Sequence, residues 1–270
     1  MPATGFGSKC FAATNWNQLG FAKPPNAMGR GFVKFPTTPH LLWLGSATAR
    51  EDKVLARTEA EEFLRGPVSI EEKVDGANLG ISFDHGGNLI AQNRGGLLEP
   101  GMKGQFAPLW NWLSERESRL FDALGDRLTI FGEWCCACHS IQYTLLPDFF
   151  LAFDVYDRHE QRFMNSARRD ELIAELELGV VPKIATGILR LNEIPRFLGK
   201  SSLYDGPMEG VYLRREGVSW LTQRAKVVRA EFVQQIGKHW SKQSLVLNKL
   251  KSSEHRPCRD SGDSIQNDPR

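Results

Sequence analysis

One lysine of this sequence stands where two strand-like stretches meet. Residues 68–80 read VSIEEKVDGANLG, and Lys73 is followed at once by the turn signal Asp75-Gly76. A lysine amine attacks phosphorus or a carbonyl carbon only when it is unprotonated, and neighbouring cations or partial desolvation lower its pKa from about 10.4. Lys73 is therefore a candidate nucleophile. Because K-x-D-G alone recurs by chance, an exposed lysine in a hairpin is the alternative.

The elements that position Lys73 are predicted from hydrophobic periodicity. Residues 68–71 alternate apolar and polar side chains, as in a half-buried strand, and the alternation restarts at residues 79–83. Residues 128–134 (LTIFGEW) predict an apolar strand that carries Glu133 at its end. Residues 149–157 (FFLAFDVYD) predict a buried strand with an aromatic wall.

Two more strands are predicted near the carboxyl end of the chain. Residues 208–214 (MEGVYLR) would place Glu209 on an inward face, where a carboxylate needs a cation or a metal as partner. Residues 224–229 (RAKVVR) would place Arg224 and Lys226 on one face of a strand, because side chains alternate with a period of two.

Capping signals predict helices elsewhere. Thr58 and Glu61 fit a capping box that opens a short helix ending near residue 65. Ser166 fits the N-cap of a helix over residues 167–178. Residues 108–124 show helical spacing of Leu and Trp, and a last helix is predicted around residues 232–240.

Length, composition and charge limit the classes of protein. The chain has 270 residues, 41% of them hydrophobic, and a net charge of only +2. No apolar run approaches the roughly 20 residues that span a bilayer, and the first 20 residues lack a signal-peptide layout, so a cytoplasmic protein without membrane contact is expected. Residues 221–251 hold seven Lys or Arg against one acidic residue, which favours an anionic partner.

Several segments have weaker signals. Five cysteines form no disulfide framework, and residues 135–143 (CCACHSIQY) lack the second knuckle of a structural zinc site. In that segment His139 is either a site residue or a structural histidine. Lys34, within residues 32–44, is either functional or a surface lysine. Residues 1–30 are predicted to be a loose lead-in, and residues 241–270 a basic to polar, disordered tail.

Read in order, these stretches resemble the motifs of the covalent nucleotidyltransferase superfamily of ATP-dependent ligases and capping enzymes. They are most similar to RNA ligases of the phage type-2 and editing-ligase kind. The matching stretches are residues 72–76 (EKVDG), Asn78, Arg94 within NRGG, residues 131–133 (FGE), residues 149–157, residues 208–213 (MEGVYL) and residues 224–226 (RAK). One departure is Arg224, where the fifth motif usually has lysine, which keeps the charge but changes the donor geometry.

The resemblance implies a fold and an activity. The fold is α+β: an ATP-grasp-like ligase nucleotidyltransferase domain of antiparallel sheets flanked by helices, over residues 31–240, without an OB-fold domain. The activity is ATP-dependent RNA ligation with Mg²⁺ or Mn²⁺, in which a lysine–AMP intermediate passes AMP to a 5′-phosphate end and a 3′-hydroxyl displaces it. The partner is RNA with those two ends, and no obligate protein partner is expected. A capping guanylyltransferase and a catalytically silent RNA-binding module are the alternatives.

The resemblance also implies roles for individual residues. The catalytic residues would be Lys73, Lys226 and Arg224, and the metal contact would be Glu209. The nucleotide would be bound by Glu72, Asp75, Asn78, Arg94, Glu133 and Phe153, with Phe153 stacking on adenine. His139 and Lys34 are further possible site residues.

Overall fold

The computed structural model describes residues 27–28, 31–45, 54–233 and 245–251. The strands are β1 (Ala27–Met28), β2 (Phe32–Val33), β3 (Val68–Lys73), β4 (Ala77–Phe83), β5 (Leu89–Gln92), β6 (Leu97–Leu98), β7 (Leu128–Trp134), β8 (Phe150–Asp157), β9 (Arg162–Phe163), β10 (Gly179–Val180), β11 (Lys183–Gly187), β12 (Gly210–Glu216) and β13 (Leu221–Val228). The helices are α1 (Arg57–Phe63), α2 (Leu109–Ser114), α3 (Glu117–Leu124), α4 (Ser166–Glu175) and α5 (Ala230–Val233). Short 3-10 helices lie at Gly104–Phe106 and Leu191–Phe197.

Two sheets carry the motifs. The larger sheet has seven strands in the order β10-β8-β7-β4-β5-β6, with β9 paired to β8, and the smaller has the order β11-β3-β12-β13. Apart from the parallel pair β10–β8, the neighbours in both sheets are antiparallel. This architecture confirms the predicted α+β class with antiparallel sheets and few helices.

The lysine turn crosses from one sheet to the other. Lys73 ends β3 in the smaller sheet, and β4 begins at Ala77 in the larger sheet. The register of β3 with β12 sets Lys73 opposite Gly210, and the register of β4 with β7 sets Asn78 opposite Glu133. Residues that are far apart in the sequence therefore meet at the junction of the sheets.

Strand β3 is buried on both faces, whereas its alternation predicted a half-buried strand. The polar side chain of Glu71 is buried because the guanidinium of Arg169 donates to it at 2.6 Å. Nearby, Arg214 of β12 donates to Asp154 of β8 at 2.8 Å and so joins the two sheets. Paired charges thus fill a region that periodicity alone assigns to solvent.

Apolar side chains cover the outer faces of the sheets. The larger sheet packs Leu79 and Ile81 of β4 against Leu109 and Leu113 of α2, and the smaller sheet packs Ile70 against Phe63 of α1. Burial of this apolar area is the main favourable term in folding. The helices therefore pack on the outer faces of the two sheets, and the polar residues of the motifs lie at the junction between the sheets.

Two helix starts differ from the prediction by one or two residues. Helix α1 has Ala56 as its N-cap, and the carboxylate of Glu59 accepts from the Ala56 N–H at 2.8 Å, so Thr58 and Glu61 do not form the capping box. Helix α4 is capped by Asn165, whose side chain accepts from the Arg168 N–H at 3.0 Å. Ser166 is the first helical residue because Glu216 already accepts from its N–H and its hydroxyl.

The terminal regions are described only in part. Residues 245–251 lie along residues 136–146, which differs from the disordered tail predicted over residues 241–270. The rest of that tail, most of the lead-in at residues 1–30, and residues 234–240 of the last predicted helix lie outside the described residues. Within the described ranges, no helix has the length and apolarity needed to cross a bilayer.

Candidate active site

Lys73 and Glu209 form an ion pair at the junction of the sheets. The distance between Lys73 Nζ and Glu209 Oε2 is 2.5 Å, and the two side chains are 17% and 13% exposed. Glu209 directly precedes β12, whose first residue pairs with Lys73, so the register of β3 with β12 brings them together. A candidate nucleophile and a candidate metal contact are therefore in direct contact.

The carboxylates around Lys73 raise its pKa. Burial lowers the pKa of Lys73, but the negative charges of Glu209, Asp75 and Glu133 more than offset it, and the net pKa lies above the ordinary value. The expectation of a lowered pKa is therefore wrong for the net effect, because the nearby carboxylates outweigh the lowering that burial causes. Lys73 is held as an ammonium ion.

One carboxylate oxygen of Glu133, Oε2, is buried and lacks a hydrogen-bond partner among the residues that the structure describes. Burial raises the pKa of Glu133 to about 8, although the cations Lys73 and Arg94 oppose the rise. Because buried polar groups in folded proteins are nearly always paired, the Glu133 carboxyl is suited to a ligand hydroxyl or cation.

Glu209 has a similar electrostatic setting. Burial raises the pKa of Glu209, and the charges of Lys73 and Lys226 oppose the rise. Lys226 lies on β13 opposite Tyr212 of β12. Lys226 is thus close enough to the Lys73–Glu209 pair for its charge to act on Glu209.

The Asn78 amide faces the same region and is also unsatisfied. Neither its oxygen nor its nitrogen has a hydrogen-bond partner among the described residues, although both are buried. A buried amide without partners costs free energy on the order of 1–3 kcal/mol. Asn78 therefore offers one donor group and one acceptor to a ligand.

A cavity of about 460 Å³ opens beside the lysine. Its size is typical of small-molecule sites. Its polar lining consists of Lys73, Asp75, Asn78, Asn93, Arg94, Gln105, Glu133 and His139. Arg94 is exposed at its edge, on the turn after β5.

A second, nearly closed cavity of about 20 Å³ lies between the sheets and shares Val74 and Glu133 with the first. Phe153 and Tyr212 line it, together with Glu72, whose carboxylate accepts from the Ser201 hydroxyl. Phe35 closes the cavity, with its ring centroid 5.3 Å from that of Phe153. Predicted nucleotide residues therefore line both cavities.

The turn after Lys73 is held by a distant loop. The Asp75 N–H donates to the Tyr143 hydroxyl at 2.9 Å, and Asp75 Oδ2 accepts from the Ser140 N–H at 2.7 Å. Gly76 packs so closely that an added Cβ would lie 2.9 Å from the carbonyl oxygen of Trp134. Only glycine fits at this contact, because real Cβ atoms do not approach backbone oxygen that closely.

His139 lines the large cavity, and its Nε2 lies 2.8 Å from Gln105 Oε1. Burial lowers the pKa of His139, so the imidazole is neutral near pH 7. The cysteines beside it have raised thiol pKa values because they are buried. Within the described ranges, no three His, Cys, Asp or Glu side chains form a preassembled metal site.

The structure does not bring Arg224 to the lysine cavity. Its guanidinium donates to Asp154 Oδ2 at 2.6 Å and stacks over Phe163 and Phe35, 4.1 and 4.9 Å from the ring centroids. Arg224 lines the second cavity instead. Lys34 is exposed and lines neither cavity.

Sequence reasoning did not single out Tyr212 or Tyr143 as site residues. Tyr212 is within the fourth motif, and its position opposite Lys226 follows from strand pairing that no local pattern reveals. Tyr143 reaches Asp75 across 68 residues of chain. A buried tyrosine at the end of a Cys/His segment gives no signal of such a contact.

Comparison with solved structures identifies proteins that share this fold. A Naegleria gruberi RNA ligase variant with ATP and Mn superposes with a TM-score of 0.56 at 16% identity, covering 83% of this chain and 67% of that chain. The Naegleria gruberi RNA ligase with PPi gives 0.53 at 18% identity, covering 84% and 68%. At these identities the superpositions establish a shared fold. A search of curated proteins gives no match.

The comparison with family models establishes a family, which the superpositions alone do not. The family described as RNA ligase matches residues 66–228, which is more than half of the chain and includes the lysine turn, Glu133, Glu209 and Lys226. The chain belongs to the RNA ligase family.

Proposed function

We propose that this protein is an ATP-dependent RNA ligase in which Lys73 Nζ becomes covalently linked to AMP. The observation that carries the proposal is the Lys73–Glu209 pair at the edge of the large cavity, beside the unpartnered Oε2 of Glu133 and the unpartnered Asn78 amide. Phosphoryl transfer requires a nucleophile, charged groups that stabilise the phosphates, and polar groups that bind the substrate. Residues of all three kinds meet at this site.

In the first step Lys73 Nζ attacks the α-phosphorus of ATP, a nitrogen–phosphorus bond forms, and pyrophosphate leaves. The lysine must lose its proton to solvent water before it attacks, and the carboxylate of Glu209 is the nearest charge that stabilises the protonated form. Weakening this ion pair activates the nucleophile. Lys226, whose charge already acts on Glu209, would then face the phosphates.

The side chains present suit a hard divalent cation. Mg²⁺ and Mn²⁺ prefer oxygen ligands, and Mg²⁺ is usually held by one or two carboxylates together with water and substrate phosphates. Glu209 would be the protein contact, and the unpartnered Oε2 of Glu133 is a second oxygen nearby. The cation would supply charge neutralisation at the phosphates.

For the nucleotide we propose a position across both cavities. Adenine would enter the second cavity against Phe153 and near Glu72, and the ribose and phosphates would extend past Glu133 towards Arg94. Asp75 and Asn78 would complete the contacts. A space of about 20 Å³ is far smaller than a purine, so Phe35 must move away from Phe153 for the base to enter.

The contacts of Arg224 favour a role other than phosphate binding. Its pairing with Asp154 joins β13 to β8, and its stacking on Phe35 and Phe163 supports the wall of the second cavity. A Lys at this position could not make the same planar stack. Arg224 would therefore shape the base site, and Lys226 alone would provide the phosphate contact of the fifth motif.

We propose that the later transfers join a 5′-phosphate end of RNA to a 3′-hydroxyl end. AMP would pass from Lys73 to the 5′-phosphate, and the 3′-hydroxyl would then displace AMP and seal the strand. Asn93, Arg94 and Gln105, which line the large cavity, would meet these ends. His139 and Lys34 have no assigned step, and a cytoplasmic location stays a prediction from the sequence.

A labelling experiment tests the proposal. The protein would be incubated with α-³²P-labelled ATP or GTP and Mg²⁺ or Mn²⁺, then run on a denaturing gel. We expect covalent label from ATP, no label in Lys73→Arg, and full label in Lys183→Arg, an exposed lysine on neighbouring β11. Label from GTP alone would favour a capping enzyme, and no label from either nucleotide would favour a silent RNA-binding module.

A further inference from the structure

A short segment near the end of the described chain lies against the loop behind the active site. We call residues 245–251 the C-terminal strap. Its backbone pairs with the loop at residues 135–146: the Cys138 N–H donates to the Val246 carbonyl at 2.9 Å, and the Lys249 N–H donates to the Tyr143 carbonyl at 2.9 Å. The strap thus holds a loop that contains His139, Ser140 and Tyr143.

One strap side chain is buried and fully satisfied. Asn248 is 4% exposed. Its amide nitrogen donates to the carbonyls of Cys135 and Ala137 at 2.9 and 3.1 Å, and its amide oxygen accepts from the Tyr143 N–H at 2.8 Å. These three bonds all end on the loop backbone, so Asn248 fixes the path between Cys135 and Tyr143.

Two further polar contacts of the loop are with the lysine turn. The Tyr143 hydroxyl accepts from the Asp75 N–H, and the Ser140 N–H donates to the Asp75 carboxylate. Tyr143 is fully buried, and burial raises its pKa well above the ordinary value, so the hydroxyl keeps its proton. Hydrogen bonds therefore lead from Asn248 through Tyr143 to Asp75, two residues after Lys73.

We propose that Asn248 is a positioning residue for adenylylation, which acts through Tyr143 and Asp75 on the placement of Lys73. This inference rests on the proposed function. Asn248 lines neither cavity and so touches neither the nucleotide nor the reacting atoms. Its effect is on geometry, and a misplacement of about 1 Å at a reacting group costs on the order of 10²-fold in rate.

The chain provides a matched control for Asn248. Asn165 is 8% exposed and also makes three hydrogen bonds: its nitrogen donates to the carbonyls of Gly217 and Val218, and its oxygen accepts from the Arg168 N–H. It caps α4 and lines neither cavity. Asn248→Ala and Asn165→Ala therefore remove equivalent polar contacts, and only the first removes a contact to a residue that is itself hydrogen-bonded to the turn after Lys73.

The first measurement is single-turnover adenylylation of Lys73 as a function of ATP concentration, at a temperature where both variants are folded. For Asn248→Ala we expect the rate constant at saturating ATP to fall at least about tenfold, and the half-saturating ATP concentration to change less than about threefold. For Asn165→Ala we expect both quantities to stay within about twofold of wild type.

The second measurement tests the route through the tyrosine. Tyr143→Phe removes only the hydroxyl that accepts from Asp75, and we expect it to lower the saturating rate constant as well. The double variant Asn248→Ala/Tyr143→Phe should have a saturating rate constant less than about twofold below that of the slower single variant, because both changes break the same chain of contacts. If the effects of the two substitutions on the saturating rate constant multiply fully, the proposed route through Tyr143 is refuted.

The third measurement needs no activity. Amide hydrogen exchange in peptides covering residues 73–80 should be at least about tenfold faster in Asn248→Ala than in wild type or Asn165→Ala. Unchanged exchange and an unchanged saturating rate would overturn the inference, as would a rate loss equal to that of Asn165→Ala. If the wild-type protein forms no covalent label but Asn248→Ala still accelerates exchange as expected, the proposed function is refuted and the positioning contact is retained.

Discussion

Lys73 and Glu209 are 136 residues apart in the sequence, yet the nitrogen of one lies 2.5 Å from a carboxylate oxygen of the other. The contact exists because β12 pairs with β3 in a register that sets Gly210 beside Lys73. Burial lowers the pKa of Lys73, and the carboxylates around it, Glu209 foremost, raise it beyond the ordinary value. The partner that positions the nucleophile is thus also the group that keeps it protonated.

The first prediction concerns Glu209→Gln. The pKa of Lys73 should fall because the negative charge that contributes most to raising it is gone, but the proposed metal contact would be lost as well. We expect adenylylation to slow by at least about 10²-fold, by analogy with the loss of one electrostatic contact at comparable sites. The residual rate should reach its plateau at a lower pH than in wild type. Rate profiles between pH 6 and pH 10 would test both statements.

The matched control for this variant is Glu62→Gln. Glu62 pairs with Arg65 at 2.7 Å on the surface near the end of α1, and lines neither cavity. Its loss should leave the pH profile unchanged, since exposed ion pairs contribute at most about 1 kcal/mol. A Glu209→Gln protein with the wild-type rate and profile would remove Glu209 from the mechanism.

The second prediction concerns the pH dependence of stability. Burial raises the pKa of Glu133 from 4.5 to about 8, so the folded state binds a proton more tightly than the unfolded state. Stability from this group is therefore complete below about pH 4.5 and is lost as the pH rises towards 8. Glu133→Gln cannot ionise and escapes this loss.

We expect the melting temperature of Glu133→Gln, relative to wild type, to rise by at least about 3 °C between pH 5 and pH 9. Calorimetry in matched buffers without nucleotide or divalent ions would measure it. A constant difference across this range would mean that Glu133 ionises in the folded protein as it does in the unfolded chain.

The third prediction concerns the turn after the nucleophile. Gly76→Ala would place a methyl group 2.9 Å from the Trp134 carbonyl oxygen and 3.1 Å from Cys135 Sγ, so the turn must move away from β7. We expect adenylylation to fall by at least about tenfold, since the turn carries both Lys73 and Asp75. Gly187→Ala is the control, because nothing lies within 4 Å of its added methyl group. Equal activities of the two variants would show that the turn tolerates displacement.

The sequence indicated which residues gather at the candidate site, but not which contacts they make there. Lys73, Glu133 and Glu209 were predictable because each lies in a strand-like stretch with a residue type that phosphoryl transfer uses. The proximity of these three residues in the fold depends on strand register, which cannot be predicted from local periodicity. Asn248 is bound to residues more than 100 positions away, and a polar tail gave no reason to expect it to be buried.

Arg224 shows a second limit of sequence reasoning. Alternation along β13 correctly places Arg224 and Lys226 on one face, two residues apart. It does not reveal that Asp154, on a strand of the other sheet, accepts from Arg224 at 2.6 Å. A buried cation pairs with the carboxylate that the fold brings to it. Two cations on one face of a strand can therefore have different partners, as Arg224 and Lys226 do.

The last prediction is that the enzyme distinguishes RNA from DNA on the strand that supplies the 3′-hydroxyl, and accepts either sugar at the 5′-phosphate end. Phosphate contacts carry no information about the sugar, so discrimination must use 2′-hydroxyl groups near the join. The large cavity has suitable partners, since its lining includes Asn78, Asn93 and Gln105, which can donate to and accept from a hydroxyl.

Four substrates that differ only in ribose or deoxyribose on each side of the join would test this prediction. We expect sealing to slow by at least about tenfold when the 3′-hydroxyl strand ends in deoxyribose, and to change less than about threefold when only the 5′-phosphate strand does, because a lost hydrogen bond to a buried polar group costs about 1–3 kcal/mol. Asn93→Ala should reduce this preference if its amide reads the 2′-hydroxyl, whereas Asn88→Ala, in the distant turn capped by Asp84, should leave it unchanged. Equal sealing of all four substrates would contradict the prediction, because it would show that the enzyme does not distinguish ribose from deoxyribose at the join.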